Sequence, residues 1–217
     1  MDNQAGARQP YRIVTPPSAA TMACKRAFDI LCSFLGLVVL SPVLLVVSVL
    51  VAVTSPGGVF FRQERIGKDG RPFRIFKFRS MRKDNAGLKI TTGNDSRITP
   101  VGRFLRKRKI DELPQLINVL VGDMSFVGPR PEVADYVNLY TPYQRQVLLV
   151  RPGITGLASI RFRNENDLLT ASDDPNRTYV EQIMPRKIDL DLEYIPHASV
   201  FYDIKLIFQT FAVVIKE

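Results

Sequence analysis

Residues Ile30 to Val53, ILCSFLGLVVLSPVLLVVSVLVAV, form a long apolar run near the start of the chain. No charged residue occurs between Asp29 and Arg62, and Leu and Val dominate the run. As a single α-helix of roughly two dozen residues, it is long enough to cross a hydrocarbon core of about 30 Å. The sequence therefore predicts a segment in contact with lipid.

Two features bear on the path of this segment through the membrane. Ser41-Pro42 lies near its middle, where proline removes a backbone donor and crowds the preceding turn, while the Ser41 hydroxyl can bond a freed backbone group. Basic residues flank both ends, beginning with Lys25 and Arg26 before the run and Arg62 after it. Because positive charge marks the cytoplasmic side, we favour a re-entrant helix-break-helix, with a single span and a tolerated proline as the alternative.

The composition restricts the partners of the chain. Its 217 residues carry 30 Lys and Arg against 21 Asp and Glu, a net charge of +9. Such a balance favours polyanions, and the apolar run favours anionic lipid over nucleic acid because no nucleic-acid-binding signature is visible. A single His197 argues against a zinc site.

The rest of the chain predicts an α+β fold, and together with the re-entrant segment the whole is expected to be a monotopic membrane protein. A turn at Lys68-Asp69-Gly70 between alternating apolar and basic residues predicts a small β-hairpin over 59–79. Apolar residues at helical spacing over 100–120 predict two interfacial amphipathic helices that meet just before Pro114. The pattern over 200–215 predicts an apolar helix that lies in the interface or packs on the membrane helix. We expect a flexible tail over 1–21, the re-entrant membrane helix over 22–54, broken at Ser41-Pro42, and a cytoplasmic, membrane-associated catalytic domain over 55–217.

An adjacent pair of carboxylates, Asp111 and Glu112, precedes Pro114 at the start of a predicted helix. Carboxylates there can hold Mg²⁺, and one can attack a phosphoryl group to form an acyl phosphate. The same residues can equally serve only to cap the helix and balance the basic run before them. Residue chemistry alone leaves both interpretations open.

Basic side chains in stiff or extended segments are candidates for binding phosphate. Arg130 stands between two prolines, a rigid backbone that can present a guanidinium for bidentate contact. The second strand of the hairpin carries Arg74, Lys77 and Arg79 with few acidic neighbours, so an anion-facing strand is one interpretation and a solvated charged face is the other.

Several motifs in fixed order resemble the bacterial sugar transferase family, the small monotopic polyprenyl-phosphate phosphoglycosyl transferases. The similarity covers about residues 22 to 215. The motifs are Lys25-Arg26-x-Phe28-Asp29, Ser41-Pro42, Phe76-Lys77-Phe78-Arg79-Ser80-Met81, Arg97-Ile98-Thr99-Pro100-Val101-Gly102, Asp111-Glu112-Leu113-Pro114-Gln115-Leu116-x-Asn118-Val119, Gly122-Asp123-Met124-Ser125-Phe126-Val127-Gly128-Pro129-Arg130-Pro131 and Arg151-Pro152-Gly153-Ile154-Thr155-Gly156-Leu157.

The resemblance implies an enzyme that moves a sugar 1-phosphate from a UDP-sugar to undecaprenyl phosphate and releases UMP, as the first membrane step of glycan assembly. It implies Mg²⁺ as cofactor, a location at the cytoplasmic face of the bacterial inner membrane, and contact with inner-membrane lipid. It also implies a re-entrant membrane helix. No nucleic acid is expected as a partner, and a homodimer is kept among the candidate assemblies.

The resemblance also implies roles for individual residues. Asp111 would be the nucleophile that forms a phospho-sugar ester, and Glu112 would belong to the Mg²⁺ site with Asp111 or assist proton transfer. The candidate substrate-binding residues are basic: Lys77, Arg79, Arg106, Arg130, Arg151 and Arg163.

One region departs from the family pattern. After Thr155-Gly156, relatives carry a segment ending in Asn-Gly-Arg-Asn, of which this chain keeps Arg163-Asn164. The identity of the sugar is therefore left open. Two further functions compete with the transferase: a non-catalytic basic scaffold at the membrane surface, which would tolerate Asp111→Asn, and a nucleic-acid-binding membrane protein, suggested by charge alone.

Overall fold

The computed structural model describes residues 13–55, 57–82 and 97–215, so most of the expected N-terminal tail lies outside the described residues. The helices are α1 (Ala19–Thr54), α2 (Pro100–Lys107), α3 (Gln115–Val121), α4 (Ala134–Val137), α5 (Leu157–Arg161), α6 (Glu165–Thr170), α7 (Pro175–Thr178), α8 (Met184–Tyr194) and α9 (Val200–Ile215). The strands are β1 (Phe60–Ile66), β2 (Pro72–Phe78), β3 (Ser125–Val127) and β4 (Gly153–Thr155). Short 3-10 turns lie at Lys68–Gly70, Ile110–Glu112, Gln144–Leu149 and Ile195–His197, and a π-helical turn at Tyr179–Ile183.

Helix α1 contains the apolar run and continues through Pro42 for 36 residues. The missing N–H of Pro42 leaves the Val38 carbonyl without its usual partner, and the Ser41 hydroxyl donates to that carbonyl at 2.7 Å. In the part of the chain described, α1 is the helix long and apolar enough to cross a bilayer. The structure has one continuous helix in place of the expected break into two helices, which corrects that prediction. The re-entrant course stays a prediction.

Both ends of α1 pack against the same polar domain. Near its start, buried Lys25 forms an ion pair with Asp203 of α9. Asp29 accepts hydrogen bonds from the Ser125 hydroxyl and from the backbone N–H of Phe126. Near its end, Val51 packs with Phe78 of β2 and with residues of α2. The side chains between these contacts are largely exposed and apolar, as expected for a surface that meets lipid.

The predicted hairpin is confirmed, since β1 and β2 pair antiparallel with Phe60 opposite Phe78. Its turn uses positive φ at Asp69 (57°) and Gly70 (74°), conformations that Asp and Gly tolerate. A second, parallel pair of β3 and β4 has no counterpart in the sequence-based expectation. The α+β class is confirmed, with two small two-stranded sheets among many helices.

The main core lies beneath α8 and α9. Tyr194 and Ile195 are completely or almost completely buried there. Val14 joins this core at 6 % exposure, and its backbone N–H donates to the Gln146 side chain at 2.7 Å. Val14 thus packs on the main core, and the domain boundaries expected from the sequence stay predictions.

Candidate active site

The carboxylate pair lies in a tight connection between α2 and α3. Helix α2 ends at Lys107, and Lys109 takes a left-handed conformation (φ 56°) that turns the chain into the 3-10 turn at Ile110–Glu112. Pro114 then precedes α3, so the predicted pair of helices meeting at this point is confirmed. Asp111 is 7 % exposed, so burial disfavours the charged form of its carboxyl group.

Glu112 is held by two cations from distant parts of the chain. Lys77 of β2 donates to Glu112 Oε1 at 2.8 Å, and Arg130, from the loop after β3, donates to the same oxygen at 2.9 Å. Burial raises the pKa of the Glu112 carboxyl, but the charges of Arg130 and Lys77 outweigh burial and hold this pKa well below its usual range. Glu112 is therefore ionised at neutral pH and positions both cations.

Asp111 differs from its neighbour. Burial and the charge of Glu112 raise the pKa of the Asp111 carboxyl, against the opposing charges of Lys77, Arg106 and Lys109. No other residue among those described donates a hydrogen bond to its side chain. Its lone pairs are consequently available, and a buried, weakly solvated carboxylate surrounded by cations is suited to attack a phosphoryl group.

The backbone of Arg130 is fixed by a residue that sequence reasoning did not identify. The buried Asp191 carboxylate of α8 accepts hydrogen bonds from the backbone N–H groups of Arg130 and Ala158. Burial raises the pKa of Asp191 to about 7, although Lys187 and the two N–H groups lower it. Asp191 thereby joins the Arg130 loop to the start of α5.

A second group of polar residues surrounds Arg130. Glu132 pairs with Arg65 of β1 at 3.5 Å and accepts a hydrogen bond from the Tyr179 hydroxyl. Lys187 pairs with Glu165 at 2.7 Å. Arg65 Nε is buried and has no hydrogen-bond partner among the described residues, so a buried donor remains free near the cluster. The spacing of Lys187 and Asp191 on one face of α8 was the available sequence signal for this group.

The remaining candidate residues lie at varied distances from the carboxylates. Arg106 donates to the Ser80 hydroxyl at 2.9 Å and acts electrostatically on Asp111. Arg79 donates instead to the backbone carbonyls of Gly58 and Phe60 at the open end of the hairpin.

Two arginines lie elsewhere. Arg151 donates to the Gly122 carbonyl at 2.8 Å, beyond the C-terminal end of α3 and about 10 Å along that helix from its start. Arg163 lines a separate cleft against α9. The structure thus brings Lys77, Arg106 and Arg130 to the carboxylate pair, and the roles of Arg79, Arg151 and Arg163 toward substrate stay predictions.

The donor set is compatible with a divalent cation that also binds substrate phosphates. Lys77 and Arg130 both donate to Glu112 Oε1. The other Glu112 oxygen, Oε2, and the Asp111 carboxylate have no hydrogen-bond donors among the described residues. Those residues contain no cluster of three or more His, Cys, Asp or Glu side chains that could form a cage. Two carboxylates with open oxygens fit Mg²⁺, which commonly binds one or two carboxylates plus phosphate oxygens.

Comparison with known proteins gives a family match over nearly the whole chain. The family described as bacterial sugar transferase matches residues 20–217. The UDP-glucose:undecaprenyl-phosphate glucose-1-phosphate transferase of Escherichia coli (strain K12) is 43 % identical over 202 residues, 90 % of this chain and 41 % of the relative. The UDP-N-acetylgalactosamine-undecaprenyl-phosphate N-acetylgalactosaminephosphotransferase of Aeromonas hydrophila is 39 % identical over 89 % of this chain and 44 % of the relative. This chain thus spans about two fifths of the length of these two proteins.

A shorter relative matches end to end. The exopolysaccharide production protein PSS of Rhizobium leguminosarum bv. phaseoli is 40 % identical over 199 residues, which are 87 % of this chain and 94 % of that protein. The similarity therefore concerns the region containing the membrane helix and the carboxylate pair, whatever else the longer relatives contain.

Proposed function

Because this chain belongs to the bacterial sugar transferase family, we propose that it transfers a sugar 1-phosphate from a UDP-sugar to undecaprenyl phosphate at the membrane surface. The observation that carries the proposal is the contrast between the two adjacent carboxylates. Glu112 is bound by Lys77 and Arg130, whereas Asp111 has a raised pKa and no hydrogen-bond donor among the described residues. The substrates named for the relatives from Escherichia coli and Aeromonas hydrophila support the same reaction.

In the first half-reaction a carboxylate oxygen of Asp111 attacks the β-phosphorus of the UDP-sugar. A bond forms between that oxygen and the phosphorus, and the bond from the phosphorus to the bridging oxygen breaks. UMP leaves with the bonding electron pair, and the sugar phosphate is esterified to Asp111. Lys77, Arg106 and Arg130 surround the carboxylate pair and stabilise negative charge that develops on the phosphate oxygens.

In the second half-reaction an anionic oxygen of undecaprenyl phosphate attacks the same phosphorus. The bond to Asp111 breaks, its carboxylate is restored, and undecaprenyl diphosphate sugar is the product for polysaccharide assembly. No proton transfer is required at the attacking oxygen, because a phosphate monoester is ionised at neutral pH. Glu112, with its strongly lowered pKa, keeps Lys77 and Arg130 in place through both steps.

We further propose that Asp111 and Oε2 of Glu112 hold Mg²⁺ together with the substrate diphosphate. When bound, the ion would neutralise phosphate oxygens and favour departure of the leaving group. The protein's own contribution is to keep three of the four carboxylate oxygens without donors among the described residues, while Lys77 and Arg130 bind the fourth, Glu112 Oε1.

We infer that α1 follows a re-entrant course at the cytoplasmic face of the inner membrane, and the packing of its two ends supports the re-entrant part of this proposal. Lys25 and Val51, near opposite ends of the helix, both contact the polar domain. A straight span would carry one of these ends to the far side of a core about 30 Å thick, away from its partner. A homodimer stays a prediction, which mass photometry of nanodisc-held protein would test.

The proposed function is tested by intact-protein mass spectrometry of nanodisc-held enzyme with Mg²⁺ and a panel of UDP-sugars, without acceptor lipid. We expect a phospho-sugar mass increment on the wild type and on Asp173→Asn, an exposed control, but not on Asp111→Asn. UMP release that occurs only after addition of lipid, with no adduct, would contradict the covalent route and favour direct transfer. An absence of turnover with every sugar would favour the non-catalytic scaffold.

A further inference from the structure

A cleft of about 780 Å³ separates α5 and α6 from the C-terminal half of α9. Its walls are apolar at Ile160, Leu168, Ala212 and Val213, and Arg161 and Arg163 stand at its edge. The volume is within the range of small-molecule sites, which combine apolar walls with a few polar groups.

The two arginines of the cleft are available to a ligand. Arg161 and Arg163 are exposed, and neither guanidinium has an ion pair or hydrogen bond with another described residue. Lys77 and Arg130, by contrast, are bound to Glu112. Two unpaired cations that line the same cleft beside an apolar wall are complementary to an amphiphile with an anionic head.

The position of α9 indicates the direction from which such a ligand would arrive. Phe201, Phe208 and Phe211 are 87 %, 70 % and 59 % exposed and form an apolar face on this helix. At about 100° per residue, Ala212 lies on the same side of α9 as Phe201 and Phe208, so the cleft borders that face. Asp203 of α9 pairs with Lys25, just before the apolar run of α1 begins. The apolar face of α9 is thus held at the level where the membrane segment enters lipid.

The opposite side of the cleft is joined to the carboxylate site. Gly156, which precedes α5, packs so closely on Gly128 that an added Cβ would lie 2.4 Å from the Gly128 carbonyl oxygen. Asp191 bonds the backbone of both Arg130 and Ala158. Glu165, the first residue of α6, acts electrostatically on Arg130. The cleft therefore borders the apolar face of α9 on one side, and on the other side α5 and α6 are joined to the loop that carries Arg130.

We propose that this cleft binds the acceptor lipid, with Arg161 and Arg163 on its phosphate and the first isoprene units against Ile160, Leu168, Ala212 and Val213. The identity of the acceptor rests on the proposed function. A lipid phosphate cannot leave its leaflet, so its route to Asp111 has to begin at an apolar surface, and the cleft borders the apolar face of α9. A nucleotide arriving from water has no need of such a surface.

The test compares the apparent KM of the two substrates in nanodiscs of zwitterionic lipid. The variants are Arg161→Gln with Arg163→Gln, which removes the cations, and Ala212→Trp, which fills the cleft. Their controls are Arg186→Gln and Ala134→Trp, which change exposed residues of α8 and α4. We expect the KM for undecaprenyl phosphate to rise about tenfold in the cleft variants, equivalent to about 1.4 kcal/mol. The KM for the UDP-sugar and the UMP released without acceptor should stay within about twofold of wild type.

Three results would overturn the proposal. A higher KM for the UDP-sugar with an unchanged KM for the lipid would make the cleft a donor site. Unchanged values for both substrates would mean that the cleft takes no part. If phosphatidylglycerol added to the nanodiscs competed with undecaprenyl phosphate as an equally good ligand, the cleft would be a general site for anionic lipids.

A second measurement is independent of turnover. Wild-type protein is labelled with a polyprenyl phosphate that carries a photoreactive benzophenone, and the labelled peptides are mapped. We expect labelling within 157–170 and 205–213, displaced by undecaprenyl phosphate but not by polyprenol or UDP. Labelling elsewhere, or equal displacement by polyprenol, would contradict the cleft. Failure of the wild type to form adduct or UMP with any sugar would count against the proposed function alone, because this labelling reports on the cleft separately.

Discussion

The Glu112→Gln variant should unfold at a markedly lower temperature than the wild type, because the substitution removes the negative charge between two cations. Lys77 and Arg130 lie 2.8 and 2.9 Å from the same Glu112 oxygen. Burial lowers the pKa of Lys77, and the Glu112 charge opposes that effect. Without this charge, Lys77 would be a buried ammonium facing the guanidinium of Arg130.

The expected magnitude follows from the exposure of the two partners. The Lys77 and Glu112 side chains are 18 % and 12 % exposed, so loss of this pair should cost about 3 kcal/mol, the lower end for a broken buried pair. Arg130 is 37 % exposed, and solvent screening reduces its share to about 1 kcal/mol or less. For a chain of this size the total of about 3–4 kcal/mol corresponds to a Tm lower by roughly 6–16 °C.

The assay is thermal unfolding of detergent-held protein followed by far-ultraviolet circular dichroism, with Glu64→Gln, which changes an exposed residue of β1, as control. The difference in Tm between the Glu112→Gln variant and the wild type should shrink as the pH rises from 7 to 10. Burial already lowers the pKa of Lys77 in the wild type, and removal of the opposing Glu112 charge should lower it further in the variant. A folded-state pKa below the unfolded value means that the folded protein binds fewer protons, so stability rises with pH, and it should rise more in the variant than in the wild type. Lys77→Met combined with Glu112→Gln should recover part of the loss. A Tm equal to that of the control would refute the idea that Glu112 holds the two cations.

Three further predictions concern stability. The free energy of unfolding of Asp191→Asn, measured relative to that of the wild type, should rise by about 4 kcal/mol between pH 4 and pH 8. The reason is that a pKa raised from 3.8 to about 7 makes the wild type lose stability as the pH rises. Thermal unfolding across this range would show a constant difference between the two proteins if Asp191 were solvated. Gly102→Ala should cost more than about 3 kcal/mol, since its Cβ would lie 2.1 Å from the Ser80 carbonyl oxygen, and a normal yield and Tm would contradict this packing. Ser41→Ala should cost about 1–3 kcal/mol by leaving the Val38 carbonyl unpaired in lipid, whereas Ser41→Thr should unfold like wild type; equal Tm values for both would mean that the hydroxyl is dispensable.

Local patterns predicted the elements whose cause is local. The charge-free run at 30–61 predicted the long apolar helix α1, and the Asp69-Gly70 turn predicted the hairpin. The carboxylates at the junction of α2 and α3 were identified because Pro114 marks a helix start. The continuation of α1 through Pro42 was missed, although the Ser41 hydroxyl that makes it possible was noted, because sequence gives no measure of how well one hydrogen bond replaces another.

The sequence by itself determined that this chain contains a long apolar helix, carries excess positive charge and presents adjacent carboxylates before a helix, since each follows from residue type and spacing along a short segment. Only the tertiary structure decided which charges meet. Lys25 pairs with Asp203, 178 residues away, and Asp191 bonds the backbone of Arg130. A salt bridge depends on distances of a few ångströms, and a chain with 30 basic and 21 acidic residues offers many pairings of similar local plausibility. Packing of the apolar elements brings these particular partners together, and with them the different environments of Asp111 and Glu112.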